Sequence, residues 1–269
     1  MDPNPLPFIE ITVSDVSLGS GSFGTVFAGE YGSAQAFQEA RIWYKLRHPN
    51  IASLYGISKS NDGYPCLVIE RFQRTLHNRL MSDPKNVPTL QERIKWLLDI
   101  SCAYEYLHSC NPPVYHRDLK PDNILLDEHG KAVLTDFGLS TVQSMSSRQR
   151  KPRVGHYLYA PPESLVLDYV VTSAYDVYSF GMTAYEVLTR HRPFLGQVQE
   201  SDPYIVMSWI CDGKRPPRCG TKGYRPQADS ISDEVWQLIN ACWEQSPILR
   251  PNFSSITSTL KKLSKDLGK

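Results

Sequence analysis

The apolar positions of this chain follow two periods. Between Thr89 and His108, Leu90, Ile94, Leu97/Leu98, Ala103/Tyr104 and Leu107 recur at the helical interval, and Thr89 with Glu92 forms a T-x-x-E capping box at the start. Ala36–Leu46 repeats that period through Phe37, Ala40, Trp43/Tyr44 and Leu46, and it stops before Pro49, as helices do. Other stretches read as strands. Phe8–Val16 alternates loosely and predicts a first strand, behind an irregular Pro-rich lead-in over residues 1–10. Ile51–Phe72 predicts two strands around the turn Asn61-Asp62-Gly63; within the second, Cys66-Leu67-Val68-Ile69 is apolar and β-branched. A polar run with Pro121 in its middle leads into Ile124, Leu125 and Leu126, a loop opening into a short buried strand. Helices are expected from Asp233 and from Asn252 to the basic end at Lys269.

Composition narrows the picture only modestly. A length of 269 residues suits one large domain or two lobes, and 41% apolar residues support a packed core. The net charge of +1 gives no electrostatic case for nucleic acid or an anionic membrane as partner. Six cysteines without C-x-x-C pairing read as reduced thiols, mostly core fillers, in a cytoplasmic protein. The N-terminal residues carry no basic and apolar signal pattern, no apolar run reaches membrane-spanning length, and there is no internal repeat.

The candidate chemistry is more specific. Tyr115–Asp127 reads Y-H-R-D-L-K-P-D-N-I-L-L-D, which sets His116, Arg117, Asp118, Lys120, Asp122 and Asn123 within eight positions. That is the spacing of the phosphoryl-transfer loop H-R-D-x-x-x-x-N. Asp136-Phe137-Gly138 follows thirteen residues after Asn123, as the second metal-binding signature. Upstream, Leu18–Val26 reads L-G-S-G-S-F-G-T-V, where glycines let backbone N–H groups approach phosphate oxygens. With these motifs in this order, the sequence resembles a protein kinase domain over nearly its whole length.

The resemblance implies an α+β fold of two lobes across residues 1–269, with a small β-rich lobe and hinge over about 8–72 and a larger helical lobe over about 73–269. It implies ATP and Mg2+ as cofactors. Gly19, Gly21, Gly24 and Val26 would cover the nucleotide. Ile69 would lie behind adenine, and the backbone of Glu70–Phe72 would meet it. Asp118 would accept the substrate proton and Lys120 would reach the γ-phosphate. Asn123 and Asp136 would hold the metal through hard oxygen donors. His116 would be structural, and Arg117 would contact phosphate on the segment Leu139–Glu163, where an upstream kinase would act on Thr141, Ser144, Ser146 or Ser147. A merely solvated segment is the alternative there. Glu163 would pair with Arg250, and Asp176, in D-V-Y-S-F-G, would brace the loop from a buried helix. L-K-P-D-N after Asp118 resembles serine/threonine kinases, and Cys242-Trp243 before Arg250-Pro251 resembles tyrosine kinases and tyrosine-kinase-like kinases. Together they point to the tyrosine-kinase-like group and to protein substrates.

Two departures stand out. His156 occupies the place where serine/threonine kinases usually carry Thr. Glu39, at the position of the ion-pairing Glu, lies only fifteen residues after Gly24, where the family spans about 30–36. The third strand with its phosphate-binding Lys has no counterpart, and residues 1–40 contain no Lys or Arg at all. Losing such a donor costs about 100–1,000-fold in rate by analogy with oxyanion-hole deletions. Three readings follow: a protein serine/threonine kinase, a pseudokinase acting as a binding module, or a shortened isoform.

Overall fold

The computed structural model describes residues 6–9, 34–59, 65–81, 86–142, 148–149, 156–166, 168–194, 203–218 and 231–267. The expected glycine-rich run and most of the first expected strand lie outside these residues, as does the turn at residues 61–63. A small sheet-rich region at the N-terminal side passes into a larger helical region, an α+β architecture.

Helix α1 (Ala34–Lys45) buries Ala40 and Trp43, with Leu46 just past its end, so its apolar stripe faces inward as the periodicity requires. Strands β1 (Leu54–Lys59) and β2 (Pro65–Ile69) pair antiparallel, with a register shift between Leu54 and Gly56. Residues 7–9 add to the edge of β1: Ile9 N–H donates to Ile57 O at 2.8 Å and Ile57 N–H to Pro7 O at 3.0 Å. Gly56 makes this approach possible, because a Cβ there would collide with the Pro7 carbonyl.

The short strand β3 (Arg74–Thr75) leads into helix α2 (Leu76–Met81). Helix α3 (Leu90–Ser109) starts at the capping box: Glu92 N–H donates to Thr89 Oγ1 at 3.2 Å and Thr89 N–H to Glu92 Oε2 at 2.8 Å. After β4 (Val114–Tyr115), strands β5 (Ile124–Leu126) and β6 (Ala132–Leu134) join β3 in a three-stranded sheet, and β7 (Thr141–Val142) pairs with β4. β8 (Arg148–Gln149) pairs with β9 (Tyr169–Val170).

Helix α4 (Ser173–Thr189) is buried at every position from Tyr175 to Thr189. Such a helix has no solvent face, so its polar residues must find partners inside. Two hydroxyls do so, Ser179 Oγ donating to Tyr159 O at 2.9 Å and Thr183 Oγ1 to Leu119 O at 3.4 Å, whereas the buried Tyr178 hydroxyl has no hydrogen-bond partner among the described residues. Helices α5 (Pro203–Cys211), α6 (Asp233–Cys242) and α7 (Phe253–Asp266) complete the helical region. α7 packs along α3, with Tyr104 stacked on Phe253 at 4.7 Å. Among the described residues no helix is long and apolar enough to cross a membrane. The cysteines correct an expectation. Of the five described, all are free thiols, and only Cys242 is buried while Cys211 is exposed.

Candidate active site

The β5–β6 hairpin sets the site. Its register pairs Ile124 with Leu134, so Asn123, one residue before β5, and Asp136, two after β6, come to the same end. Thr135 N–H closes that end by donating to Asn123 O at 3.0 Å. The loop from β4 to β5 carries Asp118 across it.

This loop is held from below by α4. Asp176, fully buried near the start of α4, accepts His116 N–H at 3.0 Å and Arg117 N–H at 2.7 Å, and His108 Nε2 lies 2.8 Å from the same carboxylate. A buried carboxylate with these partners is satisfied and fixes two consecutive residues. The His116 ring, also fully buried, places Nε2 3.0 Å from Thr135 O and meets Phe137 edge-on at 4.8 Å. Arg117 and Asp136 both take left-handed backbone angles, φ 71° and 63°. Strain of this kind in non-glycine residues is held only where the surroundings over-determine it, and it clusters at functional sites.

Asp118 stands at the centre of a compact polar cluster. Its Oδ2 accepts Lys120 Nζ at 3.0 Å and Asn123 Nδ2 at 2.9 Å, and its Oδ1 accepts His156 N–H at 3.3 Å. Asn123 Nδ2 also donates to Asp118 O at 2.8 Å. With its amide hydrogens spent on Asp118, Asn123 leaves Oδ1 buried and without a hydrogen-bond partner. A buried carbonyl oxygen in that condition is the kind of donor a hard cation takes. Asp136 nearby has its Oδ1 engaged with Gly138 N–H at 3.2 Å. Among the described residues no three His, Cys, Asp or Glu side chains cluster as a metal site. Mg2+ does not need such a cage, since it keeps waters and takes phosphate oxygens beside one or two protein ligands. Asn123 and Asp136 therefore fit that ion.

The other expected residues fall as follows. Glu39 lies on α1, and its side chain is outside the described residues, as are Gly19, Gly21, Gly24 and Val26. Ile69 ends β2; Glu70 is exposed and Phe72 half-buried, and Glu70 N–H donates to Ser53 O at 3.2 Å. The Arg117 guanidinium donates to Tyr169 OH at 2.8 Å and lies over the Tyr175 ring. Phe137 is buried between two ring contacts, to His116 and to Trp43 of α1 at 5.2 Å. Glu163 and Arg250 form a two-pronged pair at 2.6 and 2.9 Å, with the Arg250 side chain fully buried.

Several participants carry no local signal in the sequence. Trp43 links α1 to Phe137 and donates Nε1–H to Ala52 O at 2.6 Å. Tyr159 donates to Glu186 of α4, and His77 Nδ1 lies 3.3 Å from that buried carboxylate. Burial, then the adjacent Glu186 charge, pushes the Tyr159 hydroxyl well above its usual range. His156 sits against Tyr157 and Tyr159, with Nδ1 buried and unpartnered. Burial holds its imidazole below the usual range, and the Lys120 and Arg192 cations lower it further.

Comparison with known proteins agrees with this geometry. The family model described as protein kinase domain matches residues 28–260. The chain belongs to the protein kinase family. The match begins downstream of the glycine run. A probable serine/threonine-protein kinase SIS8 of Arabidopsis thaliana is 30% identical over 278 residues, covering 95% of this chain and 25% of that protein. A putative mitogen-activated protein kinase kinase kinase 7-like protein of Drosophila melanogaster is 30% identical over 272 residues, covering 94% of this chain and 66% of the other. Serine/threonine-protein kinase CTR1 of Arabidopsis thaliana is 28% identical over 284 residues, covering 98% of this chain and 33% of its own length. The chain thus spans only part of the length of these relatives.

Proposed function

We propose that this chain transfers the γ-phosphoryl group of ATP to a Ser or Thr hydroxyl of a protein substrate, with Mg2+ bound at Asn123 and Asp136. The observation that carries this reading is the orphaned, buried Asn123 Oδ1 beside the Asp118 carboxylate. Mg2+, when bound, would offset charge on the phosphate oxygens. Asp118 accepts the proton of the attacking hydroxyl, while a new O–P bond forms and the bond to the ADP oxygen breaks. Lys120 and Asn123 hold the Asp118 carboxylate at 3.0 and 2.9 Å, which orients it before any proton moves. No described backbone group bonds Glu70 O or Phe72 N–H, which leaves both for adenine. Residues of about 8–72 form one lobe and about 73–269 the other, with the nucleotide between. The residues after Asp136 would be phosphorylated by an upstream kinase, and free thiols suit a cytoplasmic setting.

A second reading rests on one observation. Residues 1–40 contain no Lys or Arg, so the usual phosphate-binding cation of the small lobe has no source there. A chain built this way would bind partners and transfer phosphate slowly or not at all.

Thermal unfolding with and without Mg-ATP separates the two, run beside Asp136→Asn. Saturating ligand at about 100 times its Kd stabilises a native state by about 2.7 kcal/mol. We expect a rise in Tm that Asp136→Asn abolishes, and phosphate transfer to a generic protein substrate that Asp136→Asn also abolishes. A rise without transfer supports the binding module. The absence of both rise and transfer overturns the enzyme reading. Inserting a V-A-x-K strand between Tyr31 and Gly32 should then raise transfer if the short small lobe is the defect.

A further inference from the structure

Away from Asp118, the second half of α1, the end of α3 and the paired strands β4 and β7 line an open cavity of about 610 Å3. Its size falls within the roughly 300–1,000 Å3 of ligand-sized clefts. The floor is apolar: Leu46 and Val114 are buried and Tyr106 is half-buried. The rim carries Arg41 and Lys45, one helical turn apart on the same side of α1. Both are exposed, and among the described residues neither has an ion-pair partner. Among the described residues no Asp or Glu lines the cavity. Its described lining is therefore mainly apolar inside, with Asn111 as a polar side chain, and carries only positive charge at its edge.

We infer that this cavity docks a segment of a partner protein that carries carboxylates beside one or two large apolar side chains. An apolar floor with a charged rim is the anatomy of a protein–peptide contact. The floor takes the apolar anchor, and the two cations select the flanking charge. A single free carboxylate would gain little, because an exposed pair contributes about 1 kcal/mol or less. A segment gains from both cations and from the anchor at once. The walls belong to the helix that bears Glu39 and to the strand that follows Asp136, so an occupant would touch both sides of the kinase site at once. The docking itself needs no nucleotide, and so it stands apart from the phosphotransfer reading.

Cys110 lines the same cavity, with Sγ 3.4 Å from Tyr106 O, and supplies a covalent reporter. The probe is a short fluorescein-labelled peptide with two phenylalanines flanked by aspartates and glutamates. A matched peptide carries lysines instead. Binding is read by anisotropy without nucleotide, with peptide mapping of iodoacetamide alkylation at Cys110. We expect saturable binding of the acidic peptide, weakened about tenfold or more by the double variant Arg41→Glu and Lys45→Glu. We expect bound peptide to slow alkylation at Cys110 and leave the exposed Cys211 unchanged. Both cations are exposed, so the double variant should keep the wild-type Tm. Absence of saturable binding overturns the inference. So does equal binding to the double variant, equal binding of the lysine peptide, or unchanged Cys110 alkylation.

Discussion

The Asp118 loop and helix α1 both touch Phe137, yet they are secured by different forces. The loop reaches Phe137 through His116 at 4.8 Å, and α1 reaches it through Trp43 at 5.2 Å. The loop is fixed by hydrogen bonds: two amides to Asp176, a ring nitrogen to Thr135 O, and a fork from Asn123 to Asp118. Helix α1 is fixed mainly by apolar burial of Ala40, Trp43 and Leu46, with Trp43 Nε1 to Ala52 O as its side-chain hydrogen bond to the body. Hydrogen bonds weaken steeply with angle and therefore set orientation. Apolar burial is non-directional and sets contact without fixing every coordinate. The groups around Asp118 are thus held in register by polar bonds, while the described part of helix α1 is held mainly by fit.

That comparison can be broken most sharply at the loop. Asp118→Asn keeps the size of the side chain and removes the proposed base, so transfer should fall about 100–10,000-fold, far beyond what the modest Tm loss from facing an amide toward one of its donors would cause. A fall in Tm large enough to explain the lost rate would move Asp118 from chemistry to scaffold. Asp176→Ala should come next. It strands the amides of His116 and Arg117 in a buried setting, at about 1–3 kcal/mol per donor. Urea unfolding should show that loss, and an unchanged midpoint would mean the loop does not depend on α4. On the other side, Trp43→Phe keeps a ring against Phe137 and deletes one hydrogen bond, at about 1 kcal/mol. A loss as large as that of Asp176→Ala would erase the contrast.

The smallest effect is a pH slope. Burial lowers the imidazoles of His156 and His48 in the folded chain, with Lys120 and Arg192 adding to the first and Lys131 to the second. The unfolded chain, with histidines near about 6.5, then binds protons more readily than the folded one. Stability is therefore full above that value and falls as pH drops below it, toward the folded values. His156→Gln should flatten that slope in urea titrations; a steeper slope in the variant would reverse the assigned sign.

Local signals in the sequence carried well. The capping box of Thr89 and Glu92 needs only residues three apart, and both of its hydrogen bonds are present. The Asp118–Asn123 fork is five residues wide, and its spacing brings the groups together once β5 forms. Long-range contacts were less legible. Nothing around Trp43 announces a meeting with Phe137, and nothing around His77 announces Glu186, 109 residues away. A small apolar thiol side chain reads as core by default, whereas Cys211 ends α5 on its exposed side, next to the buried Ile210. The short path from Gly24 to Glu39 was visible directly, since it is a matter of counting residues.

The buried helix α4 also puts the loop under a timetable. A chain is made from its N-terminus, and Arg117 precedes Asp176 by 59 residues. At about 5–20 residues per second, that separation lasts on the order of 3–12 s. By the later part of that interval a nascent chain carries His116, Asp118, Asn123 and Asp136 but still lacks the carboxylate that orients two of the loop's amides. The Asp118 loop can complete its hydrogen bonds to Asp176 only after the helix beneath it has been synthesised.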